Sequence, residues 1–478
     1  MTRLHYVLNI ALLVAPGWNT YAATTTIPVD TASTQLIQRG RYLATAGDCI
    51  ACHTASGGKP FAGGLPVSTP VGDIISTNIT PSRTNGIGNY TLAQFTAAMR
   101  EGIRANGEHL YPAMPYTSYA KVSDDDIKAM YAYFMHAVET VNTSPPPTNL
   151  PFPFNIRVSM AAWNFLFLDD KPFKPQPDKG ELWNRGAYLV SGLTHCSACH
   201  TPRNILMAED FSRNLGGAEL GNWYAPNISS DNNSGIGGWS DQEIVDYLKS
   251  GRTEGKGQAT GPMAEAIDHS LRHLSDTDLH AIAVYLKTTP ALHDAADTRP
   301  AYAWGKASDD LNTIRGVPLP KDLNQMTGPQ LYDANCASCH QARGQGSPSG
   351  GLPALFHNTA LGRTNTNNLV MVLLDGIERR PDAPEVLMPG FRSELSDTQI
   401  ATLGTYLTQH YGNPGAPVTV EQVKTLRAAG QPSYLIWFAR AGLVIAGLII
   451  IFLFLLTQRR FTRRSTDTRH PTQLNRRT

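Results

Sequence analysis

The apolar positions of this chain repeat one helical pattern in three places. Ser123-Asp124-Asp125-Asp126-Ile127 leads into Met130, Tyr131 and Phe134. Ser275-Asp276-Thr277-Asp278-Leu279 leads into Ile282, Tyr285 and Leu286, and Ser396-Asp397-Thr398-Gln399-Ile400 into Leu403, Tyr406 and Leu407. A serine N-cap, polar residues in the first turn and apolar residues at i, i+3, i+4 and i+7 predict three amphipathic helices. Each is preceded by another helical run: Arg39-Gly40-Arg41-Tyr42-Leu43, Arg185-Gly186-Ala187-Tyr188-Leu189 and the looser Gly328-Pro329-Gln330-Leu331-Tyr332. The chain therefore reads as three tandem repeats, in each of which a closing helix crosses an opening one.

Repeats one and two share a further segment. Asn78-Ile79-Thr80 with Gly86-Ile87-Gly88-Asn89-Tyr90-Thr91 matches Asn227-Ile228-Ser229 with Gly235-Ile236-Gly237-Gly238-Trp239-Ser240. The glycines permit turns with positive φ, and Thr91 or Ser240 caps another helix. Repeat three lacks this segment and reads as the most compact, with a helix near residues 367–377. The repeats occupy 30–143, 179–290 and 323–412. A proline-rich, aromatic linker covers 144–178 and a polar, irregular one 291–322. Within the first linker, residues 155–168 predict a short helix lying against a partner, a membrane or the neighbouring repeats.

The two ends follow different patterns. Residues 1–23 carry Arg3 and His5, a short apolar run and the small residues Ala22 and Ala23, as a secretory signal peptide does. Residues 434–458 are almost wholly apolar and long enough to span a bilayer, with Tyr434 and Trp437 at one edge. Arg440 is expected to snorkel to the outer interface. Arg459, Arg460, Arg463 and Arg464 open a basic tail, 459–478, and place it on the cytoplasmic side. The expected location is the inner membrane, with the body on the periplasmic side and one C-terminal anchor. Because the anchor follows repeat three, that repeat is expected nearest the lipid.

Charge adds little: a formal net charge of +1 with 17% charged residues excludes a nucleic-acid partner and points to no acidic or basic ligand. Cysteine usage adds a great deal. All six cysteines fall in Cys-x-x-Cys-His motifs, Cys49–Cys52–His53, Cys196–Cys199–His200 and Cys336–Cys339–His340, one per repeat. Structural zinc needs thiolates grouped in fours or paired with distant histidines, and these pairs lie far apart. A thioredoxin-type motif needs an α/β setting. The motif is the attachment site of c-type haem: two thiols take up the vinyl groups and the histidine gives iron one axial nitrogen. The fold class is thus mainly α, three tandem helical domains of cytochrome c type plus one C-terminal transmembrane helix, with three covalent haem c groups.

One methionine per repeat suits the opposite axial position: Met114, Met263 and Met388, each beside a proline ahead of the closing helix. Met130, Met135 and Met371 fall in helical patterns and read as core. His109, His269 and His273 read as surface or hydrogen-bonding residues. A ligating histidine donates its other ring N–H to a carbonyl. Pro66 and Pro353, in matching Gly-Leu-Pro runs, are the expected acceptors for His53 and His340, and repeat two offers no evident counterpart.

The three repeats, the Gly-Ile-Gly-Asn-Tyr-Thr segment, Tyr-Pro-Ala-Met-Pro-Tyr and the Ser-Asp-Asp-Asp-Ile-Lys-Ala-Met-Tyr-Ala-Tyr-Phe helix resemble a known family. It is the tri-haem cytochrome c subunit of membrane-bound periplasmic dehydrogenases from acetic acid bacteria and their relatives. The resemblance covers nearly the whole mature chain. It implies a non-catalytic subunit that carries electrons from a catalytic dehydrogenase subunit to ubiquinone. That partner would hold a flavin, molybdenum or quinone cofactor and oxidise an alcohol, aldehyde, sugar or polyol, with a small third subunit beside it. The apolar C-terminal helix fits the flavin or molybdenum branches. Haems closed by two protein ligands bind no substrate, so the residues themselves point to electron relay. A peroxidase-like multihaem enzyme and an electron-carrier module of a terminal oxidase are the alternatives.

Overall fold

The computed structural model describes residues 29–347, 352–379, 386–428 and 434–467, with the backbone alone at 29–32 and 459–467. Repeat one begins with α1 (Val29–Ala46) and α2 (Cys49–Cys52). It turns through a hairpin of β1 (Pro66–Thr69) and β2 (Gly72–Ile75), and ends in α3 (Leu92–Arg100), α4 (Tyr116–Tyr119) and α5 (Asp124–His136). The linker carries α6 (Ser159–Phe167). Repeat two holds α7 (Glu181–Tyr188), α8 (Cys196–His200), the β3 (Ala218–Leu220)–β4 (Trp223–Ala225) hairpin and α9 (Asp241–Ser250). It continues through β5 (Arg252–Thr253), β6 (Gly257–Gln258), α10 (Gly261–His269) and α11 (Asp276–Leu286). After α12 (Leu311–Ile314), repeat three runs α13 (Gly328–Asn335), α14 (Ala337–His340), α15 (Thr359–Gly362) and α16 (Asn367–Asp375). A ribbon of β7 (Ile377–Arg379) and β8 (Val386–Met388) leads to α17 (Asp397–Tyr411), α18 (Val420–Arg427) and α19 (Leu435–Asp467). The described strands pair two by two, antiparallel. The expected signal peptide at 1–23 and the end of the basic tail, 468–478, lie outside the described residues.

The three predicted crossings are present, and each is made at a glycine. A Cβ at Gly40 would be driven into the Ala129 carbonyl of α5, and one at Gly186 into the Ala281 carbonyl of α11. At Gly328 the obstacle is the Tyr406 side chain of α17, 2.5 Å away. The missing side chain is what lets two helix backbones meet.

The closing helices start as their sequences require. Ser123, Ser275 and Ser396 accept from the backbone N–H three residues on. Only Ser396 completes the capping box, with Gln399 accepting from its N–H at 2.9 Å. In the other two the N3 carboxylate is turned to an arginine: Arg39 holds Asp126 at 2.6 Å and Arg185 holds Asp278 at 2.7 Å. A tyrosine from the other repeat serves the N-cap instead. Tyr188 accepts from the Ser123 N–H at 3.2 Å and donates to Asp126 at 2.5 Å. Tyr42 accepts from the Ser275 N–H at 3.2 Å and donates to Asp278 at 2.5 Å. These tyrosines tie repeats one and two together by a reciprocal exchange.

The core follows the same division. Leu43, Phe95, Met130 and Phe134 of repeat one pack in one continuous cluster with Leu189, Leu193, Ile267 and Ile282 of repeat two. Repeat three buries its own, around Leu331, Val370, Leu403, Leu407 and Val423. α19 contains one stretch, Leu435–Gln458, of 24 residues and mean hydropathy 2.6, long and apolar enough to cross a membrane. Its Arg440 does not extend freely toward an interface, because the guanidinium Nε–H donates to the Phe152 carbonyl of the first linker at 3.1 Å.

Candidate haem sites

Each Cys-x-x-Cys-His motif sits on a short helix directly after its opening helix. α2 and α8 are each launched from a residue in the left-handed region, Asp48 at φ 52° and His195 at φ 39°. That sharp turn folds the cysteine segment back against the crossing of opening and closing helices. All six thiols are free. Burial pushes the Cys49 thiol up to about 12 and the Cys199 thiol up to about 11, so neither is a resting thiolate. Among the described residues, no group of three His, Cys, Asp or Glu side chains could hold a metal ion, which leaves the zinc alternative without its ligand set.

The histidines share one geometry. Nδ1 of His53 lies 2.6 Å from the Thr77 carbonyl, Nδ1 of His200 lies 2.6 Å from the Pro226 carbonyl, and Nδ1 of His340 lies 2.9 Å from the Pro353 carbonyl. A carbonyl only accepts, so Nδ1 carries the proton and the Nε2 lone pair is free. Burial lowers all three basicities, to about 4 for His200, and keeps the rings neutral. Neutral, oriented imidazoles next to paired thiols are the donor set that a covalently attached haem requires, so the residues fit the group.

The expected acceptor Pro353 is in place, whereas Pro66 is not the acceptor for His53. Pro66 is occupied in β1 opposite Ile75, and the chain returns past the histidine only after β2. Thr77 and Pro226 instead each stand directly before the shared Asn-Ile-Thr/Ser triplet, which supplies the missing counterpart in repeat two. The triplet fixes the carbonyl. Asn78 Oδ1 accepts from the Thr80 N–H at 2.9 Å while Nδ2 donates to the carbonyls of Val141 and Thr143. Asn227 does the same with the Ser229 N–H and the Leu292 carbonyl. The repeated asparagine was the signal that could have located both acceptors.

The three methionines occupy different local structures. Met114 lies in the turn between Tyr111 and Pro115, as expected, with its N–H on the Tyr111 carbonyl. Met263 is in the first turn of α10 and Met388 ends β8 opposite Ile377, so of the three only Met114 lies outside a helix or strand. Each is partly buried, Met114 and Met263 against the core that repeats one and two share and Met388 against that of repeat three. His273 makes the expected local contact, Nε2 to the Asp268 carbonyl at 3.0 Å, while His109 Nδ1 is buried without a hydrogen-bond partner.

Two residues near the motifs escaped the sequence reading. Asp48 is half-buried at the junction of repeats one and two, with its Oδ1 buried and without a hydrogen bond. Burial, with Glu265 nearby, raises its carboxyl to about 8. Around it, Tyr119 donates to the Gly47 carbonyl at 2.6 Å, Ser270 donates to the Ala46 carbonyl at 3.1 Å, and the His195 ring stands edge-on to Tyr119. The Cys52 thiol is among the groups that raise Cys199, so α2 and α8 lie close across this junction. Arg363 comes from repeat three. Its guanidinium is desolvated, makes no hydrogen bond or ion pair among the described residues, and lies near enough to lower the basicity of His200 in repeat two.

The Cytochrome c family model matches residues 37–137 and 325–410; Cys196–His200 lies between the two matches. The fructose dehydrogenase cytochrome subunit of Gluconobacter japonicus is 43% identical over 94% of this chain and 96% of its own length. The gluconate 2-dehydrogenase cytochrome c subunit of Pantoea cypripedii is 41% identical over 83% of this chain and 91% of its own. The cytochrome c subunit of the quinone alcohol dehydrogenase of Gluconobacter oxydans is 39% identical over 84% of both. With that identity over nearly its whole length, the chain belongs to the family of cytochrome c subunits of dehydrogenase complexes.

Proposed function

We propose that this chain is the electron-transfer subunit of a membrane-bound periplasmic dehydrogenase, passing electrons from a catalytic subunit through three c-type haems to ubiquinone. Haem bound at each motif would supply one-electron redox chemistry. In this reading residues 30–143, 179–290 and 323–412 are three cytochrome c modules. Cys49 and Cys52, Cys196 and Cys199, and Cys336 and Cys339 hold the haems. The iron ligands are His53 with Met114, His200 with Met263, and His340 with Met388. The carbonyls of Thr77, Pro226 and Pro353 orient the imidazoles, and the helix crossings at Gly40, Gly186 and Gly328 hold the cysteine helices in place. The catalytic partner carries a flavin, molybdenum or quinone cofactor and oxidises an aldehyde, alcohol, sugar or polyol; a small third subunit accompanies it.

The observation that carries the reading is the threefold recurrence of a neutral histidine, fixed through Nδ1 by a carbonyl, beside two free thiols. Pyridine haemochrome spectra of the purified chain are expected to count three covalent haems. Single replacement of Met114, Met263 or Met388 by Leu should each abolish one methionine-to-iron charge-transfer band. Two haems in the unaltered chain, or a resting haem that binds cyanide, would refute the assignment. Purification in mild detergent is expected to bring down a large dehydrogenase subunit; terminal-oxidase subunits in its place would refute the partner.

A further inference from the structure

The first linker presents an apolar surface with no protein over it. α6 reads Ser-Met-Ala-Ala-Trp-Asn-Phe-Leu-Phe, without a charge on any face. An uncharged, apolar helix is ordinarily buried on all sides. Here only the inner side is held: Asn164 accepts from the Tyr116 hydroxyl at 2.7 Å and donates to the Glu101 carbonyl at 2.8 Å, while Trp163 stands edge-on to Tyr116. The outer side turns Val158, Phe165 and Leu166 to the exterior, Phe165 at 89% exposure. The Trp163 indole donates to the Leu206 carbonyl at 2.9 Å, which sets the exposed Ile205 and Leu206 of repeat two beside the helix. A clustered face of this kind marks a contact surface.

Its position identifies the occupant. The same linker contains Phe152, half exposed, whose carbonyl receives Arg440 from the first turns of α19. Tyr434 and Trp437, also exposed, stand at that edge of the apolar stretch. The apolar face is therefore carried by the same linker that receives the start of the spanning helix. Aromatic residues beside a span sit at headgroup depth, and a short uncharged helix next to them lies in the same layer.

We propose that the outer face of α6, with Ile205 and Leu206, lies in the headgroup layer of the bilayer that α19 spans, so that the flank shared by repeats one and two faces the lipid. This rests on the reading of α19 as an anchor. It reverses the expectation, drawn from chain order alone, that repeat three lies nearest the membrane.

The test is photo-cross-linking of the full chain, haem-loaded and in native membranes with its partners. p-Benzoylphenylalanine replaces Phe165, Val444 within α19, or the exposed Val317 of the second linker, one at a time. Phospholipid adducts are expected at 165 and 444 and none at 317. Lipid at 444 but only protein adducts at 165 would overturn the proposal and assign the face to a subunit of the complex. Lipid at 444 with no adduct at 165 would overturn it as well. Loss of lipid adducts at 444 would sink the anchor itself, a distinguishable failure.

Discussion

Repeats one and two are joined differently from repeats two and three. The first junction is a shared apolar core closed by two tyrosine–carboxylate bonds that mirror each other. The second is mostly polar. Asn368 pairs with the backbone of Tyr224 in both directions, Asn365 and Asn367 donate to Glu219, and Arg379 reaches Asp268 at 2.5 Å and the Ser250 carbonyl at 3.0 Å. An apolar core makes two repeats one folding unit, whereas hydrogen bonds exchanged with water contribute modestly and chiefly set orientation. Two repeats thus behave as one body, and the third is docked to it.

The comparison is broken most severely at the helix crossings. Gly40→Ala or Gly186→Ala puts a Cβ where a backbone carbonyl lies, and the helices must separate. Overpacking typically costs about 1–3 kcal/mol, and a backbone obstacle sits at the upper end or beyond. Because the first two repeats share a core, either substitution should deplete haem at both of their motifs while repeat three keeps its own. Haem staining of proteolytic fragments reads this out; loss confined to one motif would show that the shared core does not couple them.

The polar junction offers the next test. Arg379 is 5% exposed and its partner is Asp268. Asp268 is only half-buried and Arg379 keeps the Ser250 carbonyl, so the loss falls below the ~3–5 kcal/mol typical of a fully buried pair. Asp268→Asn is expected to separate the melting of repeat three from that of repeats one and two in calorimetry, with no haem lost. A single unchanged transition would mean that the docked repeat is held by something other than this pair.

Asp48 tests the apolar junction through pH. Its folded carboxyl titrates near 8, above the ordinary carboxylate range, because burial and Glu265 disfavour the charge. The unfolded chain therefore releases this proton first, near pH 4, and the contribution to stability falls between about pH 4 and about 8, by up to ~1.4 kcal/mol per unit. Asp48→Asn should flatten that slope and raise the melting temperature at pH 8 more than at pH 5. An equal change at both would remove the buried carboxyl from the account.

Arg363 carries charge across the polar junction toward His200. Taking away an unneutralised positive charge near a redox centre favours its oxidised form. Arg363→Gln is expected to raise the oxidised-to-reduced ratio of the repeat-two haem roughly tenfold at fixed potential, a fall of about 59 mV. The other two midpoints should stay put in a spectroelectrochemical titration; a uniform drift of all three would indicate a structural disturbance instead.

Much of this was legible in the chain. The Cys-x-x-Cys-His motifs, the Ser-capped closing helices and the long apolar C-terminal helix are local signals, and each stands where its sequence placed it. What escaped were partners set by contacts between distant residues. Pro66 and Pro353 looked equivalent in their Gly-Leu-Pro runs, yet pairing in β1 commits Pro66 elsewhere and leaves Thr77 at His53. Tyr42 and Tyr188 were legible only as positions in an opening helix, because helical spacing reports a face and says nothing of which neighbour covers it. The substitution pattern did hold the answer: repeat three has Thr327 and Gln330 where the others have arginine and tyrosine, and it alone caps itself.

That substitution defines the gentlest prediction. Tyr42→Phe and Tyr188→Phe each leave one buried carboxylate short of a donor and one N-cap N–H short of an acceptor, while Arg185 and Arg39 still neutralise the charge. Each variant thus loses two hydrogen bonds, worth about 1 kcal/mol apiece. If the two tyrosines are independent copies of one device, the single variants should lower stability by equal amounts, and the double variant by their sum, since the sites share no partner. Chemical denaturation followed at the haem absorbance of repeats one and two measures it. A double variant that costs far more than the sum would mean that either tyrosine alone keeps the junction closed. Unequal single effects would mean that the symmetry is geometric and not energetic. Swapping repeat three toward the pattern, Thr327→Arg with Gln330→Tyr, should lower its stability, because Thr327 and Gln330 complete the capping box at the start of α13.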